Sequence, residues 1–248
     1  MDRWENKVAV VTGASSGIGV ATCKALVERG MIVVGLARRV EKIESQTRLL
    51  ISRKYQKNFH SYKCDVSDEE SVRRAFAWIT KQFGGVDVLV NNAGVLYNDI
   101  YIISSDNSDA IRNTVNTNIL GVVWCLREAF RSMRERKFDG HIININSIVG
   151  HSLTESAGLN IYPPTKYAIT AMTEVVRQEL QMHKSKVKVT SISPGEVKTK
   201  LFGQNYEYPA DMPLLAPEDI ADAIVYCIQT PPHVQVHEMI VKPVGEKI

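Results

Sequence analysis

At 248 residues, with 44% hydrophobic and 23% charged side chains, the chain has an ordinary globular make-up and the length of a single α/β domain. A formal charge of +3 without a long basic run excludes nucleic acid as a partner, and no stretch reaches the roughly 18 apolar residues of a membrane span. The four cysteines (Cys23, Cys64, Cys125 and Cys227) are far apart, with no C-x-x-C, and Met1–Lys7 carries no secretory pattern, which together point to a reduced, cytoplasmic protein.

Strands and helices alternate throughout. Lys7–Thr12 is an apolar strand and Gly17–Arg29 a helix that Gly30 ends. Met31–Ala37 is a second strand, Val40–Gln56 a helix and Phe59–Val66 a third strand. Ser67, with Glu70 three positions on, has the form of a capping box and opens a helix to Phe83. Val86–Asn91 is a fourth strand, Asp106–Arg134 a long helix and His141–Asn146 a fifth strand. A helix over Thr165–His183, a strand over Val187–Ser193, a helix over Pro217–Thr230 and a strand over Val234–Val241 complete the order. Short Val/Ile-rich runs separated by helices predict right-handed crossovers and a parallel sheet covered on both faces. With no repeat and no linker, residues 1–248 read as one doubly wound, Rossmann-type dinucleotide-binding domain.

The turn Thr12-Gly13-Ala14-Ser15-Ser16-Gly17-Ile18-Gly19 follows the first strand and feeds the first helix. Such a turn presents backbone N–H groups at the positive end of a helix dipole, where a pyrophosphate binds. The spacing G-x-x-x-G-x-G differs from the longer-established G-x-G-x-x-G, so that rule carries over by analogy. At the end of the second strand, where an acid would favour NAD, stand Arg38 and Arg39 instead. A guanidinium fork suits the 2′-phosphate of NADP. The six histidines show no metal-ligand spacing, and His233 and His237 read as surface residues. Met172, Val176 and Leu180 lie at helical spacing and read as core or subunit contact.

Further motifs occur in order. These are Asp65-Val66, Asn91-Asn92-Ala93-Gly94, Asn118 with Gly121, Ser147, Tyr162-x-x-x-Lys166, and Ser193-Pro194-Gly195-x-Val197-x-Thr199. With the glycine turn they make the chain resemble the short-chain dehydrogenases/reductases over essentially its full length. The opening Asn6–Val11 and the closing Ile240–Glu246 resemble more narrowly the insect farnesol dehydrogenases and the related vertebrate cytosolic NADP-dependent ketosteroid and carbonyl reductases. The resemblance implies a seven-stranded sheet in order 3-2-1-4-5-6-7 and NADP(H)-dependent oxidation of alcohols or reduction of carbonyls. It implies Tyr162 as acid/base, Ser147 orienting the carbonyl oxygen, Lys166 holding the nicotinamide ribose, and Asn118 extending a proton relay. Asp65 and Val66 would meet the adenine; Asn92, Ala93 and Gly94 its ribose side. Pro194, Gly195, Val197 and Thr199 would meet the carboxamide and phosphates, with Gly13, Ser15, Ser16, Gly17, Ile18 and Gly19 around the pyrophosphate. Relatives are commonly homodimers or homotetramers formed through the helices Asp106–Arg134 and Thr165–His183.

An ordinary tyrosine titrates near about 10 and is a poor base at neutral pH, so a Lys166 ammonium one turn away is expected to favour its phenolate. Pro163 and Pro164 restrict helix formation before them, which predicts that regular helix starts close to Pro164 with Tyr162 on its approach. Residues His151–Asn160 would shape the pocket. The aromatic and apolar run from 198 to 216 would form a lid, with Val95–Ile103 as the opposite wall, over a small apolar alcohol or carbonyl: a farnesol-like terpenoid, retinoid, steroid or aromatic ketone. The alternative is a cofactor-binding member of the family with weak or lost turnover, acting as a binding or interaction protein, supported by the double proline.

Overall fold

Strand β1 (Val8–Thr12) is buried along its whole length, as a branched apolar run with both faces covered should be. It lies at the centre of the sheet, between β2 (Ile32–Ala37) and β4 (Val88–Asn91). With β3 (Phe59–Lys63), β5 (His141–Ile145), β6 (Lys188–Pro194) and β7 (Glu238–Val241), the all-parallel order is β3-β2-β1-β4-β5-β6-β7. The computed structural model describes residues 1–98, 100–153, 158–203 and 205–246.

Side-chain alternation along β1 divides the core in two. Ala9 and Val11 face a layer containing α1 (Gly17–Val27) and its Cys23, Leu26 and Val27. Val8 and Val10 face the opposite layer with Phe76 and Ile79. Next come α2, which runs Val40–Lys42, a π-helical Ile43–Thr47 and Arg48–Leu50, and α3 (Glu69–Phe83). Helix α4 consists of Ser108–Val115, a π-helical Asn116–Leu120 and Gly121–Glu135. Helix α5 is Tyr162–Met182, and α6 (Pro217–Gln229) packs on the α1 side through Ile220, Ile224 and Ile228. Each fully buried Leu, Ile or Val contributes about 1.5–3 kcal/mol, so these two layers carry the stability of the fold. Val176 and Leu180 of α5 lie in the second layer, with Met172 packed against it.

Several boundaries differ from the sequence reading, each for a local reason. The second helix ends at Leu50, short of Gln56, and Arg53–Asn58 forms a separate 3₁₀ segment. Asp68, not Ser67, caps α3: its carboxylate accepts from Glu70 N–H at 3.0 Å, while Ser67 Oγ donates to Asp65 at 2.7 Å. The last strand begins at Glu238 rather than Val234. Side chains occupy the preceding carbonyls: Lys188 Nζ donates to Val234 O at 3.0 Å and Thr190 Oγ1 to Val236 O at 2.6 Å.

Asp87 ties the amino ends of three strands together. Its carboxylate accepts from Val8 N–H and from Arg136 Nη1, each at 2.8 Å, and its own carbonyl accepts from His141 N–H at 3.1 Å. The carboxylate is almost fully buried. Replacing it by Ala leaves the Val8 N–H without an acceptor and the half-buried Arg136 guanidinium without its counter-charge, held only by the Val86 and Ser132 carbonyls. Asp87→Ala is therefore expected to lower Tm by about 6–12 °C in thermal unfolding. An unchanged Tm would show that the knot carries no stability.

Candidate active site

The strand order reverses between β1 and β4, and in open α/β sheets ligands bind outside the carboxyl ends at this point. Two adjoining cavities open here, of about 670 and about 110 Å³, with Gly94 in the lining of both. The glycine turn lies between them. Gly13 has φ +67°, and a Cβ at Gly19 would stand 2.4 Å from Gly13 O, so the turn closes only without side chains at these positions. Thr12 Oγ1 accepts from both Asn92 N–H and Ala93 N–H at 3.0 Å, which staples the turn after β4 to the turn after β1. Ser16 is the N-cap of α1 in extended conformation, and no side chain caps that end. Its N–H groups are thus left for an anion, and the residues present fit a dinucleotide pyrophosphate.

Ser16, Gly17, Ile18, Asn92 and Gly94 line the larger cavity. Gly13, Ser15, Arg38, Arg39, Asp65, Val66, Ala93 and Gly94 line the smaller one. Arg38 and Arg39 are solvent-exposed at its rim, beyond the end of β2. Asp65 and Val66 lie past β3, which stops at Lys63. On the far side of the larger cavity, β6 and its exit contribute Pro194, Gly195, Glu196, Val197 and Thr199.

Ser147, Tyr162 and Lys166 line the same cavity. Ser147 follows β5 and caps a short 3₁₀ turn, Ile148–Gly150, with its Oγ accepting from Val149 N–H at 3.3 Å. Tyr162 is the first residue of α5, two positions earlier than Pro164, where the sequence placed the helix start. Pro163 and Pro164 fall in the first turn, where an N–H has no helical acceptor in any case. The first N–H that α5 needs belongs to Thr165, which donates to Ile161 O at 3.0 Å. The prolines are thus accommodated, and Tyr162 and Lys166 share a face, with Lys166 Nζ 5.5 Å from the phenol ring centre.

Electrostatics correct one expectation. Lys166 does not draw the Tyr162 phenol below its ordinary value. Burial pushes it up, with Glu196 adding to the rise and a hydrogen bond with Ser147 opposing it. Burial also lowers Lys166 to about 8. Its Nζ donates to Ile145 O at 3.0 Å. Desolvation is the largest cause for both groups.

Asn118 lies in the π-helical stretch of α4, which the sequence reading took as plain helix. It bonds the Val95 backbone both ways, accepting from N–H at 2.9 Å and donating to O at 3.0 Å, and also donates to Thr165 Oγ1 at 3.2 Å. Thr165 in turn donates to Tyr162 O at 2.6 Å. Thr165, Thr170 and Thr173 were missed by sequence reasoning. Asn144 donates to Thr173 Oγ1 at 3.0 Å and Asn146 to Thr170 Oγ1 at 2.8 Å, anchoring α5 to β5. The signal was available: Lys166, Thr170 and Thr173 form a polar stripe on the helix face turned toward the sheet.

Leu96, Val149, Leu159, Leu201, Phe202 and Met212 make the apolar part of the cavity. Of the Val95–Ile103 segment, Leu96 reaches the larger cavity and Val95 the smaller, whereas Ile102 and Ile103 are exposed to solvent. In the segment 198–216, of which residue 204 lies outside the described residues, Phe202 stacks on Tyr206 at 5.0 Å. Tyr208 Oη donates toward Val197 O and Thr199 O, folding the segment back on the stretch that leaves β6. Residues 154–157 of the run after Ser147 are likewise outside the described residues. Among the described residues, no group of three or more His, Cys, Asp or Glu is placed to hold a metal ion, and no helix is long and apolar enough to cross a membrane.

Comparison with known proteins agrees with this geometry. The family model described as short chain dehydrogenase matches residues 7–209. The chain is 49% identical to farnesol dehydrogenase of Aedes aegypti over 247 residues, covering 100% of both chains. It is 43% identical to dehydrogenase/reductase SDR family member 11 of Bos taurus, covering 98% of each. Among solved structures, alcohol dehydrogenase from the archaeon Thermococcus sibiricus, complexed with 5-hydroxy-NADP, superposes with a TM-score of 0.85 at 29% identity, covering 98% of each chain.

Glu196, also missed from sequence, is raised to about 7 by burial and by neighbouring Glu246. A carboxyl that holds its proton longer in the native than in the unfolded state penalises the native state as pH rises from about 4.5 to about 7, and fully above that. Glu196→Gln removes the penalty. Its Tm is expected to match wild type at pH 4 and exceed it by roughly 2–4 °C at pH 8. A difference that stays constant with pH would contradict this.

Proposed function

The chain belongs to the short-chain dehydrogenase family of oxidoreductases, whose fold takes a nicotinamide cofactor, and we propose that it is an NADP(H)-dependent alcohol dehydrogenase and carbonyl reductase for small apolar substrates. The observation that carries this reading is convergence. Ser147, Tyr162 and Lys166 line the cavity that the glycine turn opens into, and Leu96, Val149, Leu159, Leu201, Phe202 and Met212 give that cavity an apolar part. The names of the similar proteins, a farnesol dehydrogenase and an alcohol dehydrogenase complexed with an NADP derivative, support the same chemistry.

Bound there, the cofactor supplies the hydride donor or acceptor. Tyr162 moves the accompanying proton to or from the substrate oxygen, and Ser147 holds that oxygen by a hydrogen bond. A phenol held protonated by burial is ready to donate, which suits carbonyl reduction at neutral pH. Alcohol oxidation needs the phenolate, and positive charge close to the ring, beginning with Lys166, favours it. Lys166 also holds the cofactor ribose, and Asn118 with Thr165 fixes the first turn of α5 on which both groups stand. Arg38 and Arg39 meet the 2′-phosphate of NADP. The segment 198–216 acts as a lid over an apolar terpenoid, retinoid, steroid or aromatic carbonyl. Tyr167, Val175 and Met182, exposed on α5, suit the face of a homodimer or homotetramer, and four buried, unbridged cysteines suit the cytoplasm. Because α5 accommodates its two prolines, the ground for a member with lost turnover falls away.

Two experiments test this. Tyr162→Phe is expected to lower kcat for NADPH-dependent reduction of an apolar aldehyde by about 10²–10⁴ while the NADPH Kd changes little; retained turnover would sink the assignment. The double variant Arg38→Ala/Arg39→Ala is expected to raise the KM for NADPH about 10- to 100-fold and leave that for NADH nearly unchanged. Equal effects on both cofactors would remove the preference for NADP.

A further inference from the structure

After β7 the chain turns back into the larger cavity, where Gly245 and Glu246 form part of the wall beside Gly195 and Glu196. The return is built, not loose. Gly195 N–H donates to Val241 O at 2.7 Å, extending the β6–β7 pairing, and Glu246 N–H donates to Pro243 O at 3.2 Å. The Glu246 carboxylate then sits over Gly195. Its Oε1 accepts from Glu196 N–H at 2.7 Å. A Cβ at position 195 would lie 2.2 Å from Oε2, so only glycine there admits the carboxylate.

Oε2 itself has almost no accessible surface and no hydrogen-bond partner among the described residues, so a ligand in the cavity reaches it by a turn of the Glu246 side chain, which keeps 11% of its surface exposed. Lys242 Nζ stands 3.8 Å from it, beyond hydrogen-bond reach, and supplies countercharge without a donor. The other charged groups at this cavity are Glu196, Asp211 and Lys166, the last committed to Ile145 O. A buried acceptor left without a donor costs free energy, and a ligand that brings one recovers it.

Resting on the reading of this cavity as the substrate site, we propose that Glu246 is a specificity-determining residue that accepts a hydrogen bond from a second hydroxyl of the substrate, away from the reacting carbon. Within the apolar alcohols and carbonyls proposed above, the favoured members are then those bearing an additional hydroxyl. A neutral hydroxyl suits the site better than an ammonium, because Lys242 already provides the positive charge.

Linear primary alcohols and the α,ω-diols of the same length, over a series of lengths, test this in two ways with the same molecules. Calorimetry without cofactor reads binding alone, and NADP⁺ reduction reads kcat/KM. Wild type is expected to favour the diol at one or more lengths by about 10- to 100-fold, the range of a hydrogen bond to a charged group. Glu246→Leu is expected to bring that ratio below about 2, and Glu246→Gln, which keeps the shape and the acceptor for Glu196 N–H, to retain part of it. Diol preference that is absent in wild type at every length, or that survives in Glu246→Leu, overturns the proposal. A diol preference in binding without any NADP⁺ reduction would uphold the role of Glu246 and remove the oxidoreductase reading. Turnover without a diol preference would do the reverse.

Discussion

The site depends on keeping an ammonium and a phenol out of water within one turn of the same helix. Burial works against the charged form of both groups, raising Tyr162 and lowering Lys166 to about 8. The lysine has a fixed neutral partner in Ile145 O, and Ser147 opposes the rise of the tyrosine. On the proposed reading the tyrosine of the protein alone holds its proton, and added positive charge would shift it toward a base, which would couple cofactor charge to proton transfer.

Most of the rest of the structure serves to hold that contact in register with the glycine turn. β5 supplies the acceptor for Lys166, and Asn144 and Asn146 reach from its end to threonines on α5. Asn118 ties the same helix to the segment after β4, whose Asn92 and Ala93 N–H groups are pinned by Thr12 at the end of β1. From the phosphate cradle to the phenol, the path runs entirely through hydrogen-bonded backbone and short polar side chains. Short side chains lose little rotamer entropy, and this suits a site that must keep sub-ångström order.

The sheet was legible in the sequence because fully buried parallel strands are written as unbroken apolar runs, and the glycine turn because its geometry excludes side chains. Tyr162, Lys166 and Ser147 were singled out by the family resemblance of their motifs, with helix spacing and the carboxyl edge of the sheet in agreement. What was hidden depends on contacts distant in sequence. The helix is π-helical at Asn118, where one side chain bonds both backbone groups of Val95, far away in sequence. The late start of β7 reflects Lys188 and Thr190 taking carbonyls from the neighbouring segment. The direction of the Tyr162 shift turns on burial, which no i, i+4 pattern reports, and the return of Glu246 to Gly195 joins residues 51 positions apart whose types alone suggest nothing.

The most direct test of the coupled phenol is its own titration. Ultraviolet difference titration of tyrosinate, wild type against Tyr162→Phe, isolates this one residue with and without saturating NADP⁺. The account predicts that Tyr162 titrates above the ordinary tyrosine range in the protein alone and markedly lower once NADP⁺ is bound. An ordinary value in the protein alone, or the same midpoint in both states, would contradict it.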